Sequence, residues 1–223
     1  MTARIIGALA ACVVLAAAAP AGAQPSRGTW ELSGGGVFVG GYDLGSATAE
    51  LTSNTGTSGG PFTFFETDNR VESVSGFVAR VGYYVTPAVA VEGGLRFTRP
   101  RLASRISADV ESAPNITAEE TIDQYVFDGS LVWHFGQSTG RRGNVAPFVY
   151  GGAGYLRELH EGDALVEEGT EYHAGGGIKW WFGARGRMGI RAEAGLSIRD
   201  GGFDFEEKTR IAPVAAGSFI WVF

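Results

Sequence analysis

The side chains in this sequence that could do chemistry are three histidines, one cysteine and a set of charged residues spaced two apart. Nucleophilic hydrolysis needs a base with a hydroxyl in hydrogen-bond reach and a carboxylate to orient it. His134 is followed by Ser138, but at a strand end. His173 shares a strand face with Glu171, with no serine nearby on that face. Neither reproduces a His-x-Ser arrangement. His160 stands in an acidic run with Glu161, Asp163, Glu167 and Glu168. Such oxygen donors could hold a divalent cation, but a run of like charge reads first as a solvated loop. The expectation is no catalytic residue, no cofactor and no metal ion, with His134 and His173 as hydrogen-bonding groups.

Arginine offers a second chemistry. Arg96, Arg99, Arg101 and Arg105 fall close together, and guanidinium forks suit phosphate oxygens. The competing reading is an ordinary soluble hairpin. Gly151-Gly152-Ala153-Gly154 and Gly175 to Gly177 are not phosphate loops, because they lack a following helix and a Lys-Ser/Thr pair. A net charge of −6 lacks the basic footprint that nucleic acid requires.

The N-terminus sets where these residues can act. Arg4 precedes an apolar stretch from Ile5 to Ala19, Pro20 breaks it, and Ala21-Gly22-Ala23 offers an A-x-A cleavage site before Gln24. The stretch is short of the roughly 20 residues a membrane-spanning helix needs. Leu9-Ala10-Ala11-Cys12 resembles a lipobox, yet the apolar run continues past Cys12, which favours the ordinary leader. The expected division is a cleaved signal peptide at 1–23 and one domain at 24–223. Cys12 is the only cysteine, so a chain cleaved after Ala23 has no disulfide and no thiol chemistry.

What positions the charged residues is a period-two pattern repeated along the chain. Val89, Val91, Leu95 and Phe97 oppose Glu92, Arg96 and Thr98. Tyr125, Phe127, Leu131, Trp133 and Phe135 oppose Gln124, Asp128, Ser130 and His134. Tyr172, Ala174, Ile178, Trp180 and Phe182 oppose Glu171, His173 and Lys179. Ile190, Ala192, Ala194, Leu196 and Ile198 oppose Arg191, Glu193, Ser197 and Arg199. Phe77, Ala79, Val81 and Tyr83 oppose Arg80 in the second of eight expected strands. A fifth runs from about Ala146 to Glu158 with Phe148, Tyr150 and Leu156 outward, and an eighth from about Arg210 to Phe223. The first, from about Thr29 to Tyr42, alternates least clearly.

In the four clearest strands one parity carries no charge, and the other parity holds both signs of charge in nearly every strand. A soluble barrel puts its apolar parity inside. Here the pattern fits an apolar exterior around a hydrogen-bonded interior, the arrangement of a transmembrane barrel. With no later stretch apolar enough for a spanning helix, a closed barrel is the one other way to satisfy every backbone group in lipid. If both termini are periplasmic, all five tryptophans fall at the periplasmic interface. Trp30, Tyr83, Trp133, Phe135, Trp180 and Phe182 then form an aromatic girdle, joined by Phe148 and Tyr150. Short links near Val85–Pro87, Gly136–Val145 and Gly183–Arg187 alternate with long ones. The long ones contain alternating pieces, such as Phe62-Thr63-Phe64 and Ile106 to Val110, which suggest hairpins projecting beyond the membrane. Ten strands remain an alternative count.

The C-terminus, Phe219-Ile220-Trp221-Val222-Phe223, resembles the strand signal by which the barrel assembly machinery recognises outer-membrane proteins, with Phe219, Trp221 and Phe223 as its residues. With the Gly-aromatic texture of Gly175 to Trp181, residues 28–223 resemble the OmpA-like and OmpX/Ail-like barrels. The resemblance implies an all-β, eight-stranded antiparallel up-and-down barrel in the bacterial outer membrane, with periplasmic termini and extracellular long loops. It implies contact with membrane lipid and lipopolysaccharide, for which Arg99, Arg101 and Arg105 are candidates. A monomer is expected, without the cell-wall anchoring domain of full-length OmpA. The lumen of such a barrel is just wide enough for side chains to fill. Arg80, Glu92, Arg96, Asp128, His134, Glu171, His173, Lys179, Arg191, Glu193 and Arg199 are expected to fill it as ion pairs. A three-residue turn at Thr86 would set Arg80 opposite Glu92, and Glu193 should lie near Lys179 and Arg191. The resulting role is structural or surface-binding. The alternatives are a narrow OmpW-like channel for small or hydrophobic solutes and a lipid A-modifying enzyme.

Overall fold

The computed structural model describes residues 25–51, 62–107, 114–135, 145–160, 165–182, 187–201 and 209–223. The expected signal peptide, Ser138, Glu161, Asp163 and the segment 108–110 lie outside these residues. Eight strands close into a barrel: β1 (Trp30–Val39), β4 (Val74–Tyr84), β5 (Val89–Thr98), β8 (Asp123–His134), β9 (Val145–Leu159), β10 (Val166–Phe182), β11 (Met188–Gly201) and β12 (Arg210–Val222). Each strand pairs antiparallel with the next, and β1 closes the cylinder on β12 from Glu31↔Val222 to Val39↔Val214. Closure removes the free edges that an open sheet would expose. The end where Trp30 and Phe223 exchange backbone hydrogen bonds is the base, and the opposite end is the rim.

Four further strands make a separate antiparallel sheet above the rim: β2 (Tyr42–Leu51), β3 (Phe62–Val71), β6 (Arg101–Ser107) and β7 (Ile116–Thr121), in the order β2-β3-β6-β7. They occupy the two longest links of the sequence reading, so those links are largely strand. The first break from the barrel is at Gly40-Gly41. A Cβ at Gly41 would stand 2.6 Å from the carbonyl oxygen of Val71, so the chain crosses there only without a side chain. A bulge at Asp43/Gly45, with Gly45 at φ 100°, then twists β2 away.

The apolar parity lies outside the barrel. Leu131, Ile178 and Leu196 are each half-exposed or more, whereas Glu92, Lys179 and Arg191 are buried. β9 departs from the sequence reading. Phe148 and Leu156 point inward, fully buried, and Val149 and Tyr155 face out. Both parities of that strand are apolar over most of its length, so hydrophobicity alone did not distinguish them. The inward parity is the one with Gly152, Gly154 and Glu158. Tyr150 lies on this same inward parity, in ring contact with Phe148 and His173. Neither Phe148 nor Tyr150 joins the outer girdle.

Register brings a second correction. Thr86 caps its turn by accepting hydrogen bonds from the backbone N–H groups of Ala88 and Val89. That turn takes five residues, with Tyr84 paired to Ala90. Every pairing shifts by two from the expected one: Glu92 faces Gly82, and Arg80 faces Gly94.

Candidate functional site

The lumen is built in layers. At the base, Trp181, Ile220 and Val222 form one buried apolar cluster, and Tyr84, Ala90, Val132 and Phe148 another. Trp181 is thus a base plug, whereas its neighbour Trp180 faces outward. Around the outside of the base the girdle residues meet in pairs: Trp30 with Tyr83, Trp133 with Phe135 and Trp180 with Phe182, ring centroids 5.0, 5.4 and 6.4 Å apart.

Above the base plug the charges form a continuous chain across the lumen. Lys179 Nζ donates to Glu31 Oε1 at 2.8 Å, to Glu92 Oε1 at 3.2 Å and to the Tyr84 hydroxyl at 3.2 Å. Tyr84 in turn donates to Glu31 Oε2 at 2.7 Å. Arg191 Nη1 reaches Glu92 Oε2 at 2.7 Å, and its Nε reaches Glu193 Oε2 at 2.6 Å. Arg80 Nη2 closes on Glu193 Oε1 at 2.7 Å. Three carboxylates and three cations thereby alternate. The partner of Arg80 is Glu193 across the lumen instead of Glu92 on the next strand. Lys179 pairs with Glu31 and Glu92 rather than with Glu193. The Phe148 ring carries the Arg191 guanidinium 4.6 Å from its centroid, which explains why an aromatic side chain sits inside. His134 stacks on Tyr84 at 5.3 Å, with Nε2 3.5 Å from that hydroxyl.

Nearer the rim Glu171 accepts from both Arg96 and Arg199. Arg199 also donates to the Tyr42 hydroxyl at 2.9 Å and to Gln124 Oε1 at 3.3 Å, and Gln124 donates to Glu158 Oε1 at 2.7 Å. Arg199 and Arg210 both lie over the Tyr42 ring. Arg96, Arg199 and Glu171 can be buried because the two cations pair with the one carboxylate. Beside them an apolar seam of Val37, Val39, Val78 and Ala212 from the barrel packs on Leu44, Val71, Leu102 and Ile122 beneath the outer sheet.

Between these two charge clusters, Ser130 lies 2.7 Å from His173 Nε2, and Asp128 Oδ1 lies 3.3 Å from Ser130 Oγ and 3.8 Å from the same Nε2. The sequence reading placed no serine near His173. The pairings Ser130↔Gly152 and His173↔Gly152 bring them together across an intervening strand that has no side chain there. Serine and carboxylate share one ring nitrogen. A nucleophilic triad needs them on opposite nitrogens, so that the acid orients the base that activates the hydroxyl.

Several members of the network were absent from the sequence list. Glu31 shares its parity with Ser33 opposite Trp30 and Leu32, a signal diluted by the glycines of β1. Tyr84 lies opposite in parity to the girdle residue Tyr83. Tyr42, Glu158 and Arg210 come from segments beyond the clear alternation. Of the exposed arginines, Arg99 meets Asp123 at 2.5 Å and Arg101 meets Glu119 at 3.5 Å. Arg105 has no ion pair among the described residues. His160 is buried between two strands rather than solvated in a loop.

The profile of the outer membrane protein beta-barrel domain matches residues 8–207. Among solved structures, the chain is similar to the outer membrane protein OprG of Pseudomonas aeruginosa, at 13% identity and a TM-score of 0.55, covering 90% of this chain and 98% of that one. It is also similar to AlkL, solved in lipid bilayers, at 17% identity over 92% of this chain and 94% of that one, TM-score 0.44. Ail of Yersinia pestis aligns at 14% identity over 88% of this chain and 99% of that one, TM-score 0.39. No curated protein sequence matches.

Proposed function

The chain belongs to the outer membrane protein beta-barrel domain family, and from that premise we propose that it is a closed-lumen, non-enzymatic scaffold that displays the β2-β3-β6-β7 sheet at the cell surface. The observation that carries this reading is the unbroken chain from Glu31 through Lys179, Glu92, Arg191 and Glu193 to Arg80, laid over an apolar base plug. Any solute path would have to break several buried ion pairs at once. In this reading the aromatic base faces the periplasm and the rim faces outward. Phe219, Trp221 and Phe223, all on the outer face of β12 or just beyond it, present the assembly signal. Arg105, exposed and without an internal carboxylate, is the arginine best placed for a lipopolysaccharide phosphate. Arg99 and Arg101 are already neutralised on their own hairpin.

Conductance in planar bilayers tests the closed lumen. Refolded protein should give no steady single-channel current. A reproducible current of fixed amplitude would replace this reading with the narrow channel for small solutes.

A further inference from the structure

The outward face of the four-stranded sheet carries a groove of about 560 Å³, apart from the lumen network. Strand register sets out its lining. Asp68 on β3 stands opposite Arg105 on β6, and Arg70 stands opposite Ala103. On the other side of β3, Asp43 of β2 stands opposite Arg70, and Ser46 stands opposite Asp68. Thr117 of β7 faces Arg105. Asp43, Asp68, Arg70 and Arg105 are all exposed. Each aspartate is directly across from an arginine, yet none of the four makes an ion pair among the described residues. Glu119, the carboxylate opposite Ala103, pairs with Arg101 at 3.5 Å.

The two signs are sorted along two diagonals. Arg70 and Arg105 are diagonal neighbours across β3 and β6, about 7–8 Å apart at the backbone by ordinary sheet geometry. Ala103 lines the groove beside them, so both guanidinium forks can close on one phosphate group. Asp43 and Asp68 lie on the diagonal of β2 and β3, with the bulge at Asp43/Gly45 between their rows. Two carboxylates there suit an ammonium, held by charge-assisted hydrogen bonds. The centres of the two diagonals are one strand spacing apart, about 4.8 Å. We propose that this groove binds a phosphate ester carrying an amine two carbons away, the phosphoethanolamine class, with its phosphate on Arg70 and Arg105 and its ammonium on Asp43 and Asp68. A two-carbon linker spans one strand spacing. Thr117 adds a hydroxyl donor beside the phosphate. The site rests on the reading of Arg105 as a phosphate contact and goes beyond it by adding a second arginine and the amine. It stands whether or not the lumen conducts.

Backbone amide NMR shifts of β3 and β6 test it, in the refolded full-length protein held in phosphatidylglycerol nanodiscs. O-phosphoethanolamine, ethyl phosphate and ethylamine are titrated in turn. O-phosphoethanolamine should give saturable shifts, and each single-charge probe should bind about tenfold more weakly, since it lacks half of the charge-assisted contacts. D68N should narrow the gap between O-phosphoethanolamine and ethyl phosphate severalfold, and R70Q should weaken both. Equal affinity for ethyl phosphate in the wild type would leave the phosphate contact of Arg105 standing and overturn the amine site. The absence of saturable shifts with any probe would remove both. The wild-type series decides by itself if a variant fails to regain heat-modifiable mobility. Added vesicles separate the sources of the ester. If phosphatidylethanolamine vesicles displace it and phosphatidylglycerol vesicles do not, the ligand is a lipid headgroup. If neither does, it is a soluble or glycan-borne ester, and either result upholds the site.

Discussion

The barrel and the sheet above it put opposite faces to the outside. In the barrel, Leu131, Ile178 and Leu196 look out and Glu92, Lys179 and Arg191 look in. In the sheet and at its junction, Leu44, Val71, Leu102 and Ile122 turn toward the molecule, and Arg70, Arg101 and Arg105 look out. The same two-residue alternation serves both, and the solvent on each side decides which parity is buried. Arg96 and Arg99, three residues apart, show the consequence. Arg96 is buried against Glu171, whereas the Arg99 side chain is 63% exposed beside Asp123. Identical chemistry carries a large free-energy stake in one region and a small one in the other.

The sharpest contrast is expected at Lys179. Lys179→Met leaves Glu31 with only the Tyr84 hydroxyl in the buried network and should destabilise the folded protein by about 3–5 kcal/mol. Urea unfolding of the refolded protein in lipid measures it. At the other extreme, Arg99→Ala should change stability by less than about 1 kcal/mol, since that pair is partly solvated. Equal effects at the two sites would erase the distinction between lumen and outer sheet.

Much of the barrel was legible because charge fell on one parity only. The strands around Glu92, Asp128, Lys179 and Glu193 follow the expected faces, and the strand count is eight. The partners of individual charges were less legible. Arg80 meets Glu193 from a distant strand, and such pairing depends on closure of the cylinder, which no local pattern encodes. A two-residue difference in one turn was enough to move every partner of β4 on β5. β9 misled because aromatic side chains serve inside as well as outside, Phe148 beneath a guanidinium and Tyr155 on the exterior. Serine and histidine at 130 and 173 were brought together by Gly152, a residue whose contribution is the side chain it lacks. The outer sheet was visible only as alternating fragments in the long links, since strand propensity there does not reveal which neighbour is paired.

The face assignment itself can be measured on β11. In a Cys12→Ala background, single cysteines at positions 190 to 199 would carry a nitroxide, and accessibility to oxygen dissolved in the lipid would be read at each. Oxygen contact should peak at 190, 192, 194, 196 and 198 and fall at 191, 193, 197 and 199. The opposite phase, with the charged positions meeting lipid and the aliphatic ones shielded, would contradict the account.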